Sequence, residues 1–155
     1  MPNVIPTTLD AAKVRVAIVV ASWNESITSR LLDGALETLA AENVPPESID
    51  VAHVPGAWEL PVASQRMASR GKYDAVICLG AVIRGETTHD QHINRAVTIA
   101  MSDIALEHEV PVMLGLLTCE TLEQAIQRAG GNVGNKGSEC AEAALHMIGL
   151  LRNLS

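Results

Sequence analysis

Residues Asp74 to His89 read DAVICLGAVIRGETTH, and this stretch decides the fold. From Ala75 to Ile83 the run is apolar, interrupted only by Gly80 and ended by Arg84 and Gly85. An unbroken apolar run, with no polar alternation, reads as a strand buried on both faces, the setting of a parallel sheet covered by helices. The turn Gly85-Glu86-Thr87-Thr88 then opens a helical pattern at His89. Backbone N–H groups at a helix N-terminus attract anions, and an imidazole beside them titrates near neutrality. The stretch predicts an anion cradle with a proton carrier next to it, suited to a phosphorylated substrate.

Working towards the N-terminus, Gly71-Lys72-Tyr73 is the turn before this strand, and Leu60 to Arg70 reads as a helix with Pro61 tolerated in its first turn. Before that helix come a short strand, Ile49 to Val54, and the segment Pro55-Gly56-Ala57-Trp58-Glu59. Asn43-Val44-Pro45-Pro46 ends an earlier helix that starts after Ser22-Trp23-Asn24 and runs through Glu42. Its Ile27, Leu31, Ala35, Leu36 and Leu39 share one face. Val14 to Ala21 is another buried strand. Residues 1–12, with two prolines and no helical period, form an extended arm that adds to a sheet edge, that of a second subunit, if ordered. Residues 13–155 form a single domain.

Towards the C-terminus, Ile93, Ala96, Val97, Ala100 and Ile104 keep one helical face to about Glu107. A fourth strand, Val112 to Leu117, precedes a helix from Thr121 to Ala129. The residues Gly130 to Asn135 read as a flexible loop, and Ala141, Ala144, Leu145, Ile148 and Leu151 mark a last helix. Strands alternating with helices imply an α/β chain with a doubly wound parallel sheet. In such sheets ligands sit outside the carboxyl ends of the strands. This rule selects Trp23 and Asn24, Ala57 to Glu59, Arg84 to His89, and Thr118.

The 155 residues are 48% hydrophobic but only 2% aromatic, with no Phe, so Trp23 and Trp58 have little reason to be filler. A net charge of -7 argues against nucleic acid or an anionic membrane as partner. Cys78, Cys119 and Cys140 lack metal-ligand spacing and fit reduced thiols. No signal peptide or bilayer-length run is visible, and a cytoplasmic, soluble protein is expected.

Each candidate has a bland reading. Trp23 packs a strand–helix junction or gives a heterocycle a ring to stack on; Glu59 is a helix-start charge or a hydroxyl acceptor. His89 decorates a helix start or moves protons. Paired with His92 it suggests a metal, but no acidic or thiol ligands support that, and no metal is expected. His53, His108 and His146 read as structural or surface residues. Arg128 and Lys136 are solvated charges or a phosphate clamp. No Walker loop, GxGxxG or GxSxG follows the first strand.

Taken together, WNESIT, VPGAWELP, YDAVICLGAVIRGETTH, PVMLGLLT, LEQAIQRAG and GNKG closely resemble the lumazine synthase (6,7-dimethyl-8-ribityllumazine synthase) family of riboflavin biosynthesis, from Val14 to the last helix. The resemblance implies a flavodoxin-like three-layer fold with a four-stranded parallel sheet. It also implies condensation of 5-amino-6-(D-ribitylamino)uracil with 3,4-dihydroxy-2-butanone 4-phosphate, without cofactor. Trp23, where the family has Phe or Trp, would stack on the pyrimidine with Asn24 beside it. Ala57, Trp58 and Glu59 would line the ribityl pocket, and Ala81, Val82 and Ile83 would offer backbone groups to the uracil. Glu86 and Thr87 would hold the phosphate through their N–H groups, and His89 would be the general acid/base. Leu114, Arg128 and Lys136 would come from a neighbouring subunit.

The chain departs from the family pattern at Asp90-Gln91-His92, where an aromatic and then an acidic-aromatic pair usually stand, and at Leu114, often Phe. Family members form pentamers, and the short Gly130–Asn135 loop resembles that of members stacking twelve pentamers into an icosahedral shell. Riboflavin synthase is the partner protein the resemblance suggests. The rival readings are a flavodoxin-like binding module without turnover and a shell protein that has lost catalysis.

Overall fold

The computed structural model describes residues 1–154. Its framework is a parallel sheet of β1 (Val16–Ala21), β2 (Ile49–Val54), β3 (Ala75–Ile83) and β4 (Val112–Cys119) in the order β2-β1-β3-β4. The helices α1 (Glu25–Ala41), α2 (Leu60–Ala68), α3 (His89–His108), α4 (Leu122–Arg128) and α5 (Lys136–Asn153) cover both faces. This is the α/β three-layer arrangement expected of a flavodoxin-like fold.

The two faces are built by period-2 alternation along the same strands. Val16, Ile18 and Val20 of β1, with Ala75, Ile77 and Leu79 of β3, face the core formed with α1 and α5. Ala17, Val19 and Ala21, with Val76 and Cys78, face a second core formed with α2 and α3. Both faces being apolar explains why β1 and β3 read as continuous hydrophobic runs. In α1 the expected stripe holds: Ile27, Leu31, Ala35 and Leu39 are fully buried, while Leu36 is only half-buried.

Several boundaries move for identifiable reasons. Val14 is buried but precedes β1, because a 3-10 turn over Ala11–Lys13 closes on it through Val14 N–H to the Ala11 carbonyl. The β4 strand continues past Leu117 to Cys119, paired residue for residue with Val82 and Ile83. The segment expected as a flexible loop is instead an antiparallel hairpin, β5 (Ala129–Gly131) and β6 (Gly134–Asn135). Gly130 (φ 105°) and Gly134 (φ 97°) supply the left-handed backbone, and Gln127 ties the hairpin to α4 by accepting N–H bonds from Asn132 and Val133.

Residues 1–10 carry no helix or strand, but the second half of the arm rests on α5 of its own chain. The Thr8 carbonyl accepts from Asn153 Nδ2 at 3.1 Å, and Gly149 lets the Thr7 backbone close in where a Cβ would clash at 1.9 Å.

Candidate active site

The carboxyl ends of the strands are laced to one another. Ser22 N–H donates to the Val54 carbonyl and Trp23 N–H to that of Pro55, at 2.8 and 2.9 Å, which joins the turn after β1 to the end of β2. Asn24 takes the left-handed conformation (φ 63°, ψ 46°), one that Asn tolerates better than most residues. From there its Nδ2 donates to the Ala81 carbonyl at 2.8 Å. Trp23 is 65% exposed, yet its indole lies against Gly56: a Cβ there would sit 2.4 Å from the indole Cε3.

After β2, a 3-10 turn over Ala57–Glu59 leads into α2. The Glu59 carboxylate is held by the chain itself, Oε1 accepting from Gly56 N–H at 3.0 Å. Ala57 is buried and Trp58 is 60% exposed. A cavity of about 550 Å³ opens beside them, lined by Trp58, Glu59 and Val62 on one side and by Ala96, Val97 and Ala100 of α3 on the other. It is mostly apolar, with one carboxylate at its edge.

The β3 strand outruns its neighbour. Pairing with β1 ends at Val20–Leu79, while β3 continues through Ala81, Val82 and Ile83. Peptide groups alternate sides along a strand, and the Arg84 N–H points to the Cys119 carbonyl of β4. Ala81 and Ile83 therefore face the side that β1 has vacated. Asn24 occupies the Ala81 carbonyl, and the Ile83 edge lies past the last β1 pair.

In the turn that follows, Gly85, Glu86, Thr87, Thr88 and His89 are all exposed. His89 is the first residue of α3, and its N–H donates to Thr87 Oγ1 at 3.3 Å. Thr88 caps the helix without a side-chain bond, so this helix start meets solvent with donors to spare. A Cβ on Gly85 would touch nothing within 4 Å, so no intrachain contact demands a glycine there. Arg84 reaches Glu120 at 3.6 Å across the ends of β3 and β4, both side chains well exposed. Asp90 makes no hydrogen bond to His89 among the described residues; its Oδ1 is buried without a partner, as is Oδ1 of Asn94 one turn on.

Arg128 and Lys136 come together in a separate cavity of about 280 Å³ with Leu117, Thr118, Val133 and Glu139. The placement of Lys136 is explained by Asn135, which caps α5 by accepting from Ser138 N–H and donates from Nδ2 to the Arg30 carbonyl of α1. Gly34 and Gly137 make room for this wedge, since a Cβ at Gly34 would lie 2.4 Å from the Asn135 side chain and one at Gly137 1.9 Å from the Leu31 carbonyl. This cavity lies off β4, at the opposite edge of the sheet from the end of β2, three strand spacings or roughly 14 Å away. Within one chain Arg128 is not bonded to the turn before α3. Nor does the chain bring Leu114 to either cluster: it stands mid-strand in β4 opposite Cys78, half-buried on the α2–α3 side.

Among the other histidines, His53 and His146 are exposed, and His108 has a buried Nε2 whose nearest charge is Glu107 at 4.0 Å. Burial pushes the Cys78 thiol up to about 12, against a smaller downward pull from Ser64 Oγ at 3.0 Å. The Cys140 thiol is pushed to about 11, again chiefly by burial. Neither is a nucleophile at neutral pH. No group of three or more His, Cys, Asp or Glu is placed to hold a metal ion among the described residues, and none of their helices is long and apolar enough to cross a membrane.

The sequence found the turns but not the residues that set their shape. Gly56 and Gly137 lie inside the quoted motifs VPGAWELP and GNKG, but nothing in those motifs, or around Gly34, told what each glycine makes room for. Comparison with known proteins supplies what geometry alone does not. Residues 13–152 match the family model for 6,7-dimethyl-8-ribityllumazine synthase. The chain is 50% identical over 141 residues, 91% of its length and 90% of the relative's, to the 6,7-dimethyl-8-ribityllumazine synthase of Pediococcus pentosaceus.

Proposed function

The chain belongs to the 6,7-dimethyl-8-ribityllumazine synthase family, transferases of riboflavin biosynthesis, and from that premise we propose that it condenses 5-amino-6-(D-ribitylamino)uracil with 3,4-dihydroxy-2-butanone 4-phosphate, releasing phosphate and water. One observation carries the assignment of residues. Trp23, Glu59 and the turn before His89 leave the carboxyl ends of three adjacent strands, in the spatial order β2-β1-β3. Ligands of parallel sheets bind outside such strand ends, and this supports reading an aromatic ring, a carboxylate and a helix start as parts of one crevice.

The chemistry asks for little beyond placement and protons. An arylamine attacks a ketone, phosphate leaves and a ring closes, with no electron carrier involved. Trp23 holds the pyrimidine, with Asn24 beside it and the projecting end of β3, from Ala81 through Val82 to Ile83, meeting the uracil. Ala57, Trp58 and Glu59 hold the ribityl chain, the Glu59 oxygen not engaged by Gly56 accepting from its hydroxyls. Glu86 and Thr87 N–H groups receive the phosphate, the Glu86 carboxylate turned to solvent, and His89 moves protons at the reacting centre. Holding two reactants together supplies the larger share of the barrier reduction, on the scale of ~7–11 kcal/mol in ideal intramolecular cases.

Arg128, Lys136 and Leu114 act on a neighbouring copy's crevice. What supports this is their position at the far edge of the sheet from Trp58 and Glu59. A closed ring of copies, a pentamer, satisfies every such edge at once, and a shell of twelve pentamers extends it. Mixing the purified protein with the two substrates and recording lumazine fluorescence tests the activity: the product band is expected with both substrates together and absent with either alone. Its absence from the complete mixture would leave a non-catalytic binding module or shell protein.

A further inference from the structure

Gly56 stands where two of the crevice's features meet. Its N–H holds the Glu59 carboxylate at 3.0 Å, and its missing Cβ is the space that the Trp23 indole occupies, with Cε3 and Cζ3 at 2.4 and 2.7 Å from where that carbon would be. The backbone does not ask for glycine: φ -143° and ψ -176° are extended values that any residue adopts. Gly56 is buried, whereas Trp23 is 65% exposed and hence held by few other atoms. The three heavy atoms nearest that missing Cβ all belong to the indole.

We propose that Gly56 is a positioning residue: it seats the Trp23 ring at the depth where a planar heterocycle stacks, and fixes the distance between that ring and the Glu59 carboxylate. The reading rests on the proposed binding of ribitylaminouracil in this crevice. A ligand with a flat ring joined to a polyol needs those two contacts at one separation, and a single residue touching both sets it. A methyl group at position 56 pushes the indole off its seat while leaving the strand, the turn and the phosphate cradle untouched.

The test is a cycle of Gly56→Ala, Trp23→Ala and the double variant. In the Trp23 background, Gly56→Ala raises KM for ribitylaminouracil on the order of tenfold, the scale of one aromatic contact, and leaves KM for the butanone phosphate nearly unchanged. In the Trp23→Ala background the same change has no further effect on either constant. A merely structural glycine would instead give the same loss whatever stands at position 23, and that result overturns the proposal. A second readout needs no substrate: in Trp58→Phe protein, the near-ultraviolet circular dichroism of Trp23 collapses on Gly56→Ala while the urea midpoint stays in place. A dichroism band unchanged by Gly56→Ala refutes the seat directly; a collapse without any turnover in the parent protein keeps the seat and removes the substrate.

Discussion

The Asn24 side-chain amide donates to the Ala81 carbonyl at 2.8 Å, tying the turn after the first strand to the projecting end of the central one. The two residues are 57 positions apart in sequence, and the bond links the two segments beyond the last β1–β3 pair, Val20–Leu79. Asn24 also carries a left-handed backbone. Asn24→Ala loses both the bond, about 0.5–1.5 kcal/mol, and the conformational tolerance, about 1–2 kcal/mol. Asn24→Gly loses only the bond. Urea denaturation should therefore rank wild type above Asn24→Gly and Asn24→Gly above Asn24→Ala; the reverse order of the two variants would remove the backbone argument.

Gly85 has no intrachain reason to be glycine, since a Cβ there meets nothing. If a phosphate group approaches this backbone closely, Gly85→Ala weakens it. The expected result is an unchanged urea midpoint with KM for the butanone phosphate raised several-fold. Equal affinity for the phosphate would place the anion elsewhere on the turn.

His89 is exposed at the start of α3, and among the described residues no carboxylate is bonded to its ring. In the proposed role of proton carrier it contributes ~10²–10⁴-fold, so the expected result is that His89→Ala slows turnover by that order and leaves residual activity from positioning alone. Complete loss in a folded variant would mean that proton transfer outweighs positioning.

The Asp50 carboxylate at the sheet edge accepts from Tyr73 Oη and from Lys72 Nζ, the latter at 3.1 Å, and these bonds, Tyr73 first, hold it below its usual value. A depressed folded value stabilises the fold above the unfolded one and is lost as pH falls through it. The stability gap between wild type and Tyr73→Phe should therefore be open at pH 7 and shrink below about pH 4. With Asp50 44% exposed, the gap stays under about 1 kcal/mol. Urea midpoints from pH 7 to pH 2 measure it; a gap that widens in acid would reverse the assignment.

How much of this was legible beforehand follows from what each residue answers to. The strands and the α1 stripe were visible because burial on both faces of β1 and β3, and on one face of α1, leaves an apolar period in the chain itself. The candidate turns were singled out because ligands follow the carboxyl ends of parallel strands. The β5–β6 hairpin was missed because Gly130 and Gly134 signal chain freedom and left-handed turns alike. The roles of Gly56, Gly34 and Gly137 were invisible for a different reason. Each is defined by an atom absent from the glycine and supplied by a distant segment, and no local pattern reports that. The residues at the β4 edge, Arg128 and Lys136, were seen as charges, but their distance from Trp58 needed the strand order.

The central claim is that one catalytic crevice is made by two copies, Trp23, Glu59 and His89 from one and Arg128 from the next. Subunit mixing tests it most directly. His89→Ala and Arg128→Ala proteins, each of low activity, are unfolded together in equal amounts and reassembled, and lumazine formation is recorded. If the crevice lies between copies, random mixing places unaltered halves together at about one interface in four, and activity recovers to about a quarter of wild type. If all these residues serve within one chain, the mixture shows only the average of the two variants, and the account fails.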